Sequence, residues 1–107
     1  MRTHREIEAR SLALHGLVAD RLRRDPALLG KVRATLERWL PEVSPRARPH
    51  LEAWRGIVES GLDATLAVLE EDSERARTLR QSSPFVGILT NRERFEFLRE
   101  WKRRHAA

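Results

Sequence analysis

Thr3-His4-Arg5-Glu6-Ile7-Glu8-Ala9-Arg10-Ser11-Leu12-Ala13-Leu14-His15-Gly16-Leu17-Val18-Ala19-Asp20-Arg21-Leu22 stands near the start of the chain, and its reading decides the fold. Thr3 and Glu6 have the spacing of a capping box, in which each side chain accepts the other residue's free backbone N–H at a helix start. Ile7, Leu14, Leu17, Val18 and Leu22 then recur at helical period, so they predict an amphipathic helix with these five on its core stripe. Arg23-Arg24 end it. Asp25-Pro26 predicts a restart with Asp25 as N-cap and Pro26 at the first helical position, followed by a stripe of Leu29, Val32, Leu36, Trp39 and Leu40.

Outward from there, proline and glycine punctuate the rest. Pro41, Pro45 and Pro49 make the longest irregular connection, a loop and not a domain boundary. A third helix is expected from about Pro49 to Glu59, burying Leu51, Trp54 and Val58, with Ser60-Gly61 as its stop. Helical spacing resumes through Leu62, Leu66, Leu69, Ala76 and Leu79, and Glu70-Glu71-Asp72-Ser73 is where this stretch can divide. Ser82-Ser83-Pro84 ends it, an apolar connector from Phe85 to Leu89 follows, and a second capping box, Thr90 with Glu93, starts a last helix carrying Phe95, Leu98 and Trp101. With no strand alternation and no repeat, the expected fold is all-α, an irregular bundle of about five helices in one domain over residues 1–107.

Composition narrows the function. At 107 residues and 40% hydrophobic content the chain can bury one modest core. Cysteine is absent, which removes disulfides and thiolate chemistry. No apolar run reaches the roughly 18–20 residues of a membrane span, and the start lacks a signal-peptide pattern, so a cytoplasmic location is expected. Basic residues number 21 against 16 acidic ones, but only Lys31 and Lys102 are lysine, as GC-rich coding bias would also produce. Acids are interleaved with them, as in Arg92-Glu93-Arg94, which marks a solvated helix face more than a nucleic-acid footprint. A nucleic-acid binder stays open as the alternative, with Lys102-Arg103-Arg104 as its phosphate-touching cluster or, more simply, as cations at a helix C-terminus.

Catalysis finds little support. The four histidines are His4, His15, His50 and His105. His4 and His105 lie near the ends, and His50 is expected at the surface. His15 flanks the first stripe one turn after Ser11, but the sequence places no third group to orient its imidazole and no glycine-framed turn to expose the serine. No H-x-x-x-H or comparable ligand spacing exists, and the five glycines are isolated, so no catalytic residue, metal site, phosphate cradle or cofactor is expected.

Arg10-Ser11-Leu12-Ala13-Leu14-His15 resembles the signature of the HEPN ribonucleases, small helical bundles in which an arginine and a histidine with four to six residues between them meet those of a second protomer around a phosphodiester. Arg99 and His105 share the spacing. That resemblance implies a ribonuclease, although HEPN domains carry the motif late in the chain and chance produces it readily here. The same hexapeptide taken together with Glu71-Asp72-Ser73-Glu74-Arg75-Ala76-Arg77 and Leu79-Arg80-Gln81-Ser82-Ser83-Pro84-Phe85 resembles short bacterial all-helical proteins of the antitoxin type. This second resemblance spans nearly the whole chain. It implies a non-enzymatic protein-binding role against a larger partner, the cognate toxin, of nucleotidyltransferase type.

From Glu70 to Phe85 only Ala76, Leu79 and Phe85 are apolar, and an acidic block precedes a basic one. Such a pattern orients a partner more readily than it stabilises a fold, which makes Arg75, Arg77, Arg80 and Phe85 the expected partner-binding residues. Phe85 has a competing reading as a plug that closes the bundle beside Val86, Ile88 and Leu89.

Overall fold

The computed structural model describes residues 3–106; the first two residues and the last one of the expected domain lie outside the described residues. Among the described residues there are six α-helices, one short 3-10 turn and no strand. The helices are α1 (His4–Arg24), α2 (Leu29–Trp39), α3 (Arg48–Glu59), α4 (Leu62–Glu70), α5 (Glu74–Gln81) and α6 (Asn91–Arg104). The sixth arises because the stretch from Leu62 to Gln81 does divide. Glu71 leaves α4 in an extended conformation, and Ser73 caps α5 by accepting the Ala76 N–H at 3.1 Å.

Both capping boxes form. Thr3 accepts from the Glu6 N–H at 3.1 Å, and Thr90 accepts from the Glu93 N–H at 3.0 Å, with each glutamate returning the bond to the threonine N–H. Asp25 does not cap. Its side chain makes no hydrogen bond to the following turn, and Pro26 opens a 3-10 turn over Pro26–Leu28 before α2 begins at Leu29. Gly61, between α3 and α4, takes φ 110°, a conformation that costs other residues strain. The proline loop after α2 is pinned by Arg48, whose guanidinium donates to the Leu40 and Val43 carbonyls at 2.9 and 3.3 Å.

One apolar cluster joins α1 to α5 and the connector after α5. α4 lies against α1, and Trp54 of α3 sits at the centre, fully buried, donating its indole N–H to the Leu79 carbonyl at 2.7 Å. The buried face of α1 is turned from the expected one. His15, Val18, Ala19 and Leu22 are buried, whereas Ile7 and Leu17 are exposed. The reason is that apolar residues occupy well over half the circumference of α1, and the rest of the chain covers only the sector that holds His15, Val18, Ala19 and Leu22. α6 contributes no buried residue to the core.

Candidate functional site

Much of the charged stretch before Phe85 is engaged within the fold. Arg80 is 4% exposed, and its Nη1 donates to the Val68 and Glu71 carbonyls at 3.3 and 2.8 Å, so it closes the C-terminal end of α4. Burial draws its pKa below the ordinary guanidinium value, with Arg77 adding to that effect and Asp72, Glu71 and Glu8 opposing it. Phe85 is also inside. Its ring meets the Trp54 ring edge to face at 5.0 Å and the His15 ring at 6.3 Å, which makes it the plug. Arg80 and Phe85 are therefore withdrawn from the surface on which they were expected, while Val86, expected to need burial, is 61% exposed. Arg77 is half-buried and held by Asp72 at 2.8 Å and Glu8 at 3.6 Å, which leaves Arg75 as the exposed cation of the set without an ion pair among the described residues.

His15 has the orienting group that the sequence did not reveal. Nδ1 lies 2.8 Å from the Ser11 carbonyl oxygen and must carry the proton, because two acceptors cannot share that distance. Nε2 is then the acceptor for the Ser83 hydroxyl at 2.9 Å, a residue 68 positions away. Burial pushes the imidazole pKa down, partly opposed by the Ser11 carbonyl, and nearby Arg80 lowers it further, so the ring is neutral near pH 7. The pair borders a pocket of about 180 Å³ lined by Leu14, Val18, Phe85, Val86 and Arg94 among others. Ser83 was legible only as a helix stop; the sole hint of its role was that a histidine on a buried face needs a partner. This arrangement ties α1 to the connector.

Within the chain, Arg10 and His15 lie on different sides of α1. Five residues along an α-helix put Arg10 about 140° around α1 from His15, and both ring nitrogens of His15 are already committed. His105 stacks on Trp101 at 3.9 Å and bonds the Trp101 carbonyl through Nδ1 at 2.9 Å. His4 is exposed, and His50 is half-buried. Among the described residues no group of three or more His, Asp or Glu is placed to hold a metal ion, and no helix is long and apolar enough to cross a membrane.

The surface that remains is α6. The helix runs beside α1, joined by Arg21 to Glu93 at 3.4 Å near its start, and its half-buried residues include Glu93, Phe97, Glu100 and Trp101. At 3.6 residues per turn Phe97, Trp101, Leu98 and Phe95 span an apolar arc of about 160°. α1 shelters one edge of that arc. Phe95 is left 64% exposed and Leu98 37% exposed. Around them the cations sort into two groups. Arg92 pairs with Glu96 at 3.1 Å, and Arg103 and Arg104 share Glu100 at 2.6 and 3.2 Å. Arg94, Arg99 and Lys102 have no ion pair among the described residues, and they fall beside Leu98 and Phe95 on the helix. An apolar strip interspersed with unbalanced cations can seat an amphipathic segment of opposite charge.

Compared with protein families, with curated proteins and with solved structures, the chain matches none.

Proposed function

We propose that this chain is a non-enzymatic protein-binding module, acting in the cytoplasm, that docks an acidic amphipathic helix of a larger protein across the open face of α6. One observation carries the reading: a capped helix of 14 residues places Phe95 and Leu98 in solvent between the unpaired Arg94, Arg99 and Lys102 and buries none of its residues in the core. Aromatic residues and arginine are the side chains that interface centres favour. A second copy of the chain fits poorly, because like charges would face each other across the strip. Nucleic acid is the weaker alternative, since phosphates would engage the cations and leave Leu98 and Phe95 in water. The resemblance to antitoxin-type proteins suggests what the larger partner is, a cognate toxin of nucleotidyltransferase type. On this reading Arg75 and the ion-paired Arg77 lie outside the main contact.

Co-expression with the product of the adjacent gene tests the proposal. A stable complex that survives Arg75→Glu but is lost on Phe95→Ser with Leu98→Ser, the variant remaining folded, is the expected result. A complex indifferent to the α6 pair places the interface elsewhere, and tight salt-sensitive binding of RNA or DNA without any protein partner would favour the alternative.

A further inference from the structure

The pocket of about 180 Å³ beside His15 lies where α1, the connector after α5 and the start of α6 come together. His15, Val18 and Phe85 are buried and form its floor, the half-buried Leu14 and Leu89 form its walls, and the exposed Val86 and Arg94 stand at its rim. Phe85 goes into the core, whereas Val86, next to Gly87 at φ 84°, is left in solvent. We propose that this pocket seats one large apolar side chain, a leucine, methionine or phenylalanine, from the end of the acidic helix that docks on α6. It deepens the docking reading of α6, on which it rests.

The inside of the pocket selects an apolar guest. His15 and Ser83 are committed to each other: the Ser83 hydroxyl donates to Nε2 at 2.9 Å, Nδ1 donates to the Ser11 carbonyl at 2.8 Å, and neither offers its proton to a guest. A polar group entering would lose water without gaining a donor on the floor, whereas an apolar one is stabilised by burial alone. Size fits a side chain and not a cofactor, since drug-sized sites run to roughly 300–1,000 Å³. Position ties the pocket to α6. Lys102, Leu98 and Arg94 stand four residues apart on one face of the helix, so a segment lying along that row passes Leu98 and brings its end to the pocket. Charge supports the same occupant. Among the described residues Arg94 is the one charged side chain lining the pocket, because burial keeps His15 neutral, and it has no ion pair there. A carboxylate one turn from the anchor on the guest helix meets it.

The test is an NMR titration of the ¹⁵N-labelled full chain with a blocked helical peptide of alanine and glutamate, five turns long, that carries leucines three and four residues apart along one face. The amides of Val86, Gly87 and Leu89 report the pocket, and those of Phe95, Leu98 and Arg99 report α6. Saturable shifts in both sets are expected. Serine in place of the leucine at one end of the peptide, and not at the other, should weaken binding about tenfold and silence the pocket set alone, the loss of one buried leucine. Val86→Asp should do the same from the protein's side, and Arg94→Gln should weaken the glutamate peptide but not its glutamine counterpart; both positions are exposed and outside the core. Shifts on α6 alone, indifferent to the end leucines and to Val86→Asp, would overturn the pocket and leave the docking face standing, as would equal losses from serine at either end. Pocket shifts that persist in Phe95→Ser with Leu98→Ser while α6 stays silent would overturn the docking face and the pairing with it. No saturable shift in either set overturns both.

Discussion

Trp54 and Trp101 occupy similar apolar stripes in the sequence, yet one is the centre of the molecule and the other lies at its edge. Trp54 is fully buried, its indole N–H is spent on the Leu79 carbonyl, and Phe85 closes over it. Trp101 is half-buried, stacks on His105 of its own helix and leads to Leu98 and Phe95 in solvent. The two stripes follow one rule and meet different fates. Periodicity shows that a helix has an apolar face; whether this chain or another covers it is decided by packing.

The contrast is broken most easily by truncation. Trp54→Ala is expected to cost about 3–5 kcal/mol, the range for large aromatic deletions in a core, while the Leu79 carbonyl keeps the Ser82 N–H as a donor at 3.1 Å. Phe95→Ala is expected to stay within about 0.5 kcal/mol, as exposed substitutions do. Urea unfolding of the two variants checks both, and comparable losses would mean that α6 belongs to the core after all. Ser83→Ala should fall between them at about 1–3 kcal/mol, because it strips a buried imidazole nitrogen of its donor. A neutral result in the same measurement would show that the tie from α1 to the connector contributes nothing.

Two smaller effects sharpen the comparison. Thr90→Ala removes one side of the capping box of α6 and is expected to cost about 1 kcal/mol, felt as faster amide exchange within α6. Loss of protection spread equally through α3 and α4 would contradict the view that α6 is attached at its margin. The smallest effect is a pH dependence. The folded-state pKa of His15 lies below its ordinary 6.5, so the unfolded chain takes up the proton first. Stability from this group is whole above pH 6.5 and is lost as the pH falls from there through the depressed value, because the charged ring would have to form in a buried place and, to a lesser degree, beside Arg80. Melting temperatures at pH 7.5 and pH 5.5 should diverge less in His15→Gln than in the wild type; an unchanged difference would assign the drop to other groups.

Helix boundaries were the most legible part of this sequence, because they depend on local chemistry. The two capping boxes and Gly61 each act on their own few residues and stand where the spacing implied, whereas Asp25, expected to cap, does not. Faces were less legible. Ile7 and Leu17 are as apolar as Leu22, and nothing within α1 tells which of them the other helices will cover. Least legible were the polar side chains whose partners are distant in the chain. Ser83 meets His15 across 68 positions, and Arg80 is buried because the carbonyls at the end of α4 accept its protons, a use of arginine that local charge pattern cannot distinguish from an exposed one.

The proposal that α6 presents a docking face is tested most directly by hydrogen–deuterium exchange of the chain alone and together with a protein that co-purifies with it. Protection gained over Asn91–Arg104, with the amides of α3 and α4 unchanged, is the result expected of a face that the fold leaves open. Unaltered exchange through α6, with protection appearing on α5 or the proline loop instead, would contradict it.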